Sequence, residues 1–422
     1  MNNSDILKKI AQQTPAIGRI LKEKSVLYET TKTQEKHIRV LEKQKIKLQN
    51  EIAGRSSKKI KPIWPLLEKE ILKASQGKST IKNHAINHQP PFVLNWILPA
   101  VVTSSGGQSD IFRTIKFLTD HGHDCSMYIF DPHERSSLSE QKKLIAAGFP
   151  GLSNKVYYNA KTITDCDVIF ATHWLTAYPV HNFNGKGRKY YYVQGYEPHT
   201  QPAGYLSYLA ESTYTFGFRG LTLGQWLTDK LSKEYQMKCD FFDYGYDPDE
   251  YSIKSTQPRK DIIYYAQPQK AHRGFELGMM ALKIFHRENP SSKIHLFGAD
   301  LRSYEIPFPH EDLGILSVPQ LNELYNRCAA GLALSFTNIS LIPLEMIAAG
   351  CQPVINDSYH TRKIKYADWV KYADPNPIAI AEALSKATRA NRQGLRIKLE
   401  ANYSWDHSNQ QIENILIKEL AT

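Results

Sequence analysis

From residue 91 onward, short apolar runs alternate with amphipathic stretches. FVLNWILP (92–99), CSMYIF (125–130), DVIFAT (167–172) and KYYYVQ (189–194) are near-continuous apolar or aromatic runs, the pattern of strands buried on both faces. DIFRTIKFLTDHG (110–122), SEQKKLIAAG (139–148) and QWLTDKLSKEY (225–235) have helical spacing. A second series begins near residue 260. Its expected strands are DIIYYA (261–266), KIHLFG (293–298), GLALSF (331–336) and QPVIN (352–356). Its expected helices are FELGMMALKIFHREN (275–289), PQLNELYNRC (319–328) and one starting near Leu341. Strand–helix alternation predicts α/β architecture with parallel sheets covered on both faces. Two such series, split near residues 246–260, predict two Rossmann-like doubly wound domains facing each other across a cleft. Ligands then sit at the carboxyl ends of the strands.

Before residue 91 the pattern is different. Residues 17–52 carry a heptad with Ile17, Lys24, Thr31, Ile38, Lys45 and Ile52 in one column. Ile20, Leu27, Gln34, Leu41 and Leu48 form the other. The repeat predicts a coiled-coil helix, roughly 55 Å long at 1.5 Å per residue. A charged helix lying on the body is the alternative. Residues 54–90 are broken by Gly54, Pro62, Pro65, Gly77 and Pro90, which reads as a linker with one short helix at PLLEKEILKA (65–74). The expected divisions are a basic coiled-coil helix at 1–60, a linker at 61–90, a first Rossmann-like domain at 91–255, a second at 256–402, and a final helix at 403–422.

Composition narrows the classes. The 422 residues are 41% hydrophobic and 11% aromatic, which suits a globular protein of more than one domain. FVLNWILPAVV, the most apolar run, is too short to span a bilayer and holds Asn95 and Pro99. The polar N-terminus has no signal-peptide core. Five scattered cysteines without a CxxC pair argue for a reducing compartment and against a zinc site. Of 53 basic and 42 acidic residues, 19 and 8 lie in residues 1–90, and the remaining 34 and 34 cancel. The net charge of +11 therefore belongs to the N-terminal arm. It suits an anionic membrane surface or an acidic partner and does not imply nucleic acid.

Four stretches could carry chemistry. SSGGQSDIF (104–112) follows the first strand, and Gly106 and Gly107 there let backbone N–H groups approach an anion or simply make a tight turn. In QPQKAHRGFELG (267–278), Lys270, His272 and Arg273 precede a helix, either to face a phosphate or as a charged loop. In FTNISLIPLEM (336–346), Asn338 or Ser340 can cap a helix whose first turn holds Glu345. A carboxylate suits paired sugar hydroxyls, and a core-facing acid without a partner would be costly. HWLTAYPVHNF (173–183) and VQGYEPHTQPAGY (193–205) read as loops rich in His, Tyr, Trp and Glu, suited to a carbohydrate or to ordinary packing.

The segments ATHWLTAYPV, YYVQGYEPH, GFRGLTLGQWL, HRGFELGMMALKIFH, HLFGADL, YEIPFP, LYNRCAAGLALSFTN and SLIPLEMIAAGCQPV are spread over residues 92–420. Together they resemble retaining GT-B glycosyltransferases, most closely the bacterial WsaF-type rhamnosyltransferases. The resemblance implies that Glu345, the second acid of the family's paired-glutamate motif, holds a nucleotide ribose. Ser340 and Leu341 match positions whose amides meet the diphosphate, with Asn338 beside them. Arg273 matches the phosphate-binding cation and is assigned a catalytic role; Lys270 assists it. Gly106 and Gly107 match the loop that closes on the donor. His173 falls near the reacting sugar, also with a catalytic role, and Trp174, Tyr196 and Glu197 fall on the acceptor side. Trp405 opens the last helix, which in this fold crosses back to the first domain. Two positions depart from the pattern. Thr337 stands where the first acid would be, and Gln267, still assigned to donor binding, replaces the usual arginine.

The function so implied is metal-independent, retaining transfer of L-rhamnose from dTDP-L-rhamnose to a surface glycan such as O-antigen, capsule or S-layer glycan. The acceptor would be lipid-linked. The protein would be cytoplasmic, held peripherally at the inner face of the plasma membrane, and oligomeric or paired with a partner helix through residues 17–52. No cofactor is expected. A non-catalytic sugar-binding or scaffold subunit with a degenerate donor site is the alternative.

Overall fold

The structure is a computed structural model that describes residues 15–56, 64–77, 89–102, 106–159, 162–255, 257–390 and 399–421. Residues 57–63 and 78–88 of the expected linker, and Ser104 and Ser105 of the glycine loop, lie outside the described residues.

Two units are present. In the first, the heptad region is one continuous helix, α1 (Pro15–Ser56). Its heptad residues Ile20, Leu27, Ile38 and Leu41 are each more than half exposed. The expected helix is thus a feature of the structure.

The second unit begins at Trp64. Helix α2 (Pro65–Ser75), expected within a linker, is instead packed on the body. Leu67 is buried in the first domain's core, Lys73 Nζ donates to the Asn182 carbonyl at 3.0 Å, and Asn182 Nδ2 donates to the Glu70 carbonyl at 2.8 Å. The apolar spacing of Leu66, Leu67 and Ile71 gives the helix a face to bury, which overrides the polar composition around it.

Seven parallel strands form the first sheet: β1 (Val93–Pro99), β2 (Asp124–Phe130), β3 (Val156–Tyr158), β4 (Val168–Ala171), β5 (Arg188–Val193), β6 (Arg219–Leu223) and β7 (Cys239–Phe242). Their order is 3-2-1-4-5-6-7. The second sheet has six parallel strands, β8 (Asp261–Tyr265), β9 (Ile294–Phe297), β10 (Glu311–Asp312), β11 (Cys328–Leu332), β12 (Gln352–Asn356) and β13 (Lys371–Ala373), in the order 10-9-8-11-12-13. In each sheet the strand order reverses beside the first strand, between β1 and β4 and between β8 and β11. These reversals leave crevices for ligands.

Strand β11 starts and ends earlier than GLALSF suggested. It pairs with β8 with a register shift between Cys328 and Ala330, and its last paired residue is Leu332. Residues 333–341 are thereby released as a loop. The segment 173–183, read from sequence as a loop, contains a helix over Trp174–His181. His173 caps it, its Nδ1 accepting from Leu175 N at 3.3 Å while Thr176 Oγ1 accepts from His173 N at 3.0 Å.

The two domains are joined by more than the cleft. One apolar cluster runs from Trp96, Phe242, Tyr244 and Tyr246 of the first domain to Tyr251, Tyr325 and Tyr366. The C-terminal helix, Trp405–Leu420, packs on the first domain. Thr114 Oγ1 donates to Asn409 Oδ1 at 2.9 Å, and Glu413 meets His121 at 2.9 Å and His123 at 3.1 Å.

Candidate functional site

The loop released by β11 crosses the cleft. Asn338 Nδ2 donates to the carbonyl of Gln194, which follows β5. Gly195 leaves room for this approach, since a Cβ there would stand 2.5 Å from Asn338 Oδ1. Thr337 is buried, and its hydroxyl lies 3.4 Å from the Tyr196 carbonyl. Asn356, at the end of β12, holds the loop's start with paired 2.7 Å bonds to the backbone of Ser335. Gln194 also reaches back to the glycine loop, its Nε2 donating to the Gly107 carbonyl at 2.9 Å. A Cβ on Gly107 would stand 2.6 Å from Gln194 Oε1, while Gly106 is exposed and uncrowded.

Arg273 reaches the same loop. Its Nη1 lies 3.5 Å from the Asn338 carbonyl, and its Nε, though buried, has no hydrogen-bond partner. Burial pushes its pKa down from the ordinary arginine value. The 3-10 turn carrying it, Ala271–Arg273, ends at Gly274 with φ +60°, a conformation that favours glycine. Lys270 is exposed, and its pKa is lowered first by desolvation and then by Arg273. Gln267 is buried and turned away, its amide donating to the Gly298 carbonyl.

Glu345 lies in the first turn of the seven-residue helix Ile342–Ala348, whose N-cap is Leu341. Neither Asn338 nor Ser340 caps that helix: Leu341 makes no side-chain cap bond, and the Asn338 amide is spent on the first domain. Ser340 and Leu341 are half-buried at the helix start. The Glu345 carboxylate is partly covered and receives one long bond, from the Tyr325 hydroxyl at 3.4 Å. Burial pushes its pKa up to about 7, against the pull of Arg113 and of the Tyr325 and Tyr251 hydroxyls.

Arg113 belongs to the first domain, so the two walls meet electrostatically here. It sits in the helix Gly106–Asp120, pairs with Asp110 at 3.2 Å and lies 5.6 Å over the Trp405 ring. Burial raises the Asp110 pKa to about 7, and the charge of Glu345 adds to the rise. Neither Asp110 nor Arg113 was singled out from sequence, although Asp110 lies within SSGGQSDIF. A carboxylate and an arginine three residues apart on a helix beside a glycine pair was the available signal.

The acceptor-side candidates fall differently. Trp174, Tyr196 and Glu197 are only 2%, 5% and 8% exposed. Glu197 Oε2 accepts from Trp174 N at 2.5 Å and Oε1 from the Tyr191 hydroxyl at 3.0 Å. Burial raises its pKa to about 8. The Tyr196 hydroxyl meets that of Tyr235 at 2.5 Å, and Lys230 Nζ lies 4.3 Å over its ring. These side chains shape the wall, and their polar atoms are directed into the domain. His173, with a third of its side chain exposed, is the member that reaches the surface. Its Nε2 lies 3.9 Å from Glu197 Oε2, and burial lowers its pKa to about 4, so it is neutral at neutral pH. Among the described residues, no three His, Cys, Asp or Glu side chains come together as a metal site requires.

Two parallel α/β domains with a shared cleft and a C-terminal helix returning to the first domain define the GT-B fold class. HepE of Anabaena, solved with UDP and glucose, superposes with a TM-score of 0.59 at 12% identity, covering 77% of this chain and 100% of that one. TarM of S. aureus gives 0.58 at 10% identity, covering 78% and 100%. Within the chain, residues 260–385 match the family described as WsaF, C-terminal domain. The O-antigen biosynthesis protein RfbC of Myxococcus xanthus is 30% identical over 322 residues, covering 73% of this chain and 25% of RfbC. The chain thus spans a quarter of that relative's length.

Proposed function

We propose that this protein transfers a sugar from a nucleoside-diphosphate donor to a glycan acceptor in the biosynthesis of a cell-surface polysaccharide. The observation that carries the reading is the pair formed by Arg273, with a buried and unpartnered Nε, and Glu345, a half-covered carboxylate with one long bond, on one wall of the cleft. An arginine with free donors suits a diphosphate, and an acceptor-only carboxylate suits two ribose hydroxyls. HepE, a neighbour in fold, was solved with UDP and glucose, and the relative RfbC is described as an O-antigen biosynthesis protein.

In this reading Glu345 holds the ribose. Arg273, Lys270 and the amides of Ser340 and Leu341 hold the diphosphate, with Gly106, Gly107, Asn338 and Gln267 shaping the closed loop around it. As the glycosidic bond breaks, the leaving diphosphate gains charge, and these prearranged donors stabilise it without a metal. The domains exclude water from the donor sugar. His173, neutral and at the cleft wall, faces the sugar, while Trp174, Tyr196 and Glu197 hold the acceptor wall in shape. Transfer proceeds with retention, the leaving phosphate oxygen taking the acceptor proton. The donor is dTDP-L-rhamnose, whose deoxy sugar demands less of the position held by the buried Thr337. The protein works in the cytoplasm at the inner face of the membrane on a lipid-linked glycan, and α1 pairs with a second helix through residues 17–52.

The test is turnover. Purified protein, dTDP-L-rhamnose and a membrane fraction containing lipid-linked glycan should yield an extended product, with the anomeric configuration of the donor by NMR and no loss of rate in EDTA. Release of free sugar alone, or no turnover with any nucleotide sugar, contradicts it. A sugar-binding subunit without turnover is the second reading. It is favoured by Gln267, buried with its amide on the Gly298 carbonyl, and by Thr337, buried with its hydroxyl toward the Tyr196 carbonyl of the other domain.

A further inference from the structure

Three buried hydrogen-bond donors near the junction of the domains have no partner: Arg273 Nε, the Tyr244 hydroxyl and the Trp226 indole N–H. An unpaired buried donor costs about 1–3 kcal/mol, so three close together need a reason. Tyr244 follows β7 and is 5% exposed; Trp226 opens the helix Gln225–Tyr235 after β6 and is 4% exposed. Both therefore come from strand ends on the cleft side of the first domain.

The backbone makes room for this tyrosine. Gly224, at φ +88°, lies where an added Cβ would be 2.9 Å from Tyr244 Cε2 and 3.6 Å from its hydroxyl. The ring stands edge-on to Tyr366 of the second domain, with centroids 6.5 Å apart. The Asn338 side chain and the Trp226 indole are the polar groups that face the hydroxyl. Tyr244 and Arg273 are near enough to influence each other's ionisation. Asn338 ties the group together, since its carbonyl meets Arg273 and its amide meets Gln194.

We propose that Tyr244, backed by the Trp226 indole, donates a hydrogen bond from the first domain to the leaving diphosphate on which Arg273 acts from the second. In the liganded state the indole N–H closes onto the tyrosine oxygen, and the tyrosine O–H donates to a phosphoryl oxygen. Tyr244 touches the substrate; Trp226 is a positioning residue that acts through it. The diphosphate site is then complete only when both domains contribute, which couples closure to the charge of the ligand. This inference rests on the reading of the cleft as a nucleoside-diphosphate site.

The experiment compares wild type, Tyr244→Phe, Trp226→Phe and Arg273→Ala by calorimetry with UDP, dTDP, uridine and thymidine, alongside thermal melts. Phenylalanine keeps the ring packed against Gly224. Tyr244→Phe should weaken binding of the preferred diphosphate about tenfold, with its nucleoside changed less than roughly twofold and a melting temperature equal to or above that of wild type. Trp226→Phe should produce a smaller loss with the same selectivity. Full diphosphate affinity in Tyr244→Phe while Arg273→Ala loses it would overturn the inference alone. Equal losses for nucleoside and diphosphate, with a lowered melting temperature, would also overturn it by showing a packing role. Wild-type affinity in Arg273→Ala as well would instead remove the functional reading beneath it.

Discussion

Glu197 and Glu345 stand on opposite walls of the same cleft, and burial raises the pKa of both, to about 8 and about 7. Their surroundings differ. Glu197 has both oxygens engaged, by Trp174 N at 2.5 Å and the Tyr191 hydroxyl at 3.0 Å, and its own N–H side is held by Tyr214. Glu345 has a single bond at 3.4 Å and a half-open face. A buried acid that satisfies its neighbours is part of the scaffold. One that is desolvated but under-bonded is poised to accept hydrogen bonds from something else. The first wall's acid is fully bonded, and the second wall's acid keeps acceptor capacity.

The sharpest way to break this comparison is on the second wall. Arg273→Ala should weaken nucleoside-diphosphate binding roughly a hundredfold, about 3 kcal/mol, because charged hydrogen bonds to phosphate are lost. Calorimetry measures this, and an unchanged affinity would make Arg273 a wall residue like the others. Glu197→Ala should do the opposite: about 3 kcal/mol of stability lost in denaturant unfolding, because Trp174 N–H and the Tyr191 hydroxyl lose their acceptor, with nucleotide affinity retained.

Protonation sharpens the contrast further. Glu345 has a folded pKa of about 7 against an ordinary value of 4.5. Between those values the folded chain holds a proton that the unfolded chain has released. Stability from this group is therefore complete below pH 4.5 and is lost as pH rises toward 7, by up to about 3 kcal/mol. Glu345→Gln should remove that slope and raise stability at pH 8, while weakening nucleotide binding about tenfold. In wild type, nucleotide affinity should rise with pH through 7 as the carboxylate forms, and Glu345→Gln should flatten that rise. The smallest effect is expected from deleting residues 1–60, which should lower the oligomeric mass by light scattering and leave donor affinity unchanged.

Much of the fold was legible because strand–helix alternation is a local pattern. The helices at 110–122 and 275–289 and strand β12 appear where spacing put them. Strands β3, β6, β7, β10 and β13 were not read, being two to five residues long and mostly at or near the sheet edges, where few apolar residues mark them. Strand β11 was placed too late because its register is set by pairing with β8, which no local pattern records. The helix 174–181 was missed behind its aromatic residues and Pro179, although His173 and Thr176 carry a capping arrangement.

Arg273, Asn338 and Glu345 were singled out because they follow strands, and the structure places Arg273 and Asn338 in contact. Trp174, Tyr196 and Glu197 were noticed for their chemistry, yet that chemistry is used inward. Asp110, Arg113 and Tyr244 were not noticed, because their meeting with the second-domain wall depends on how two domains close, and Tyr325 was not, because its contact with Glu345 depends on packing within the second domain; spacing along one chain contains neither distance.

The most direct test is calorimetric titration of the purified protein with dTDP-L-rhamnose, UDP-glucose and GDP-mannose, with Glu345→Ala and Arg273→Ala alongside. Selective binding of dTDP-L-rhamnose, lost in both variants while Glu197→Gln binds as wild type, is the result this account predicts. Binding of none of the three, or binding that survives both second-wall substitutions, would contradict it.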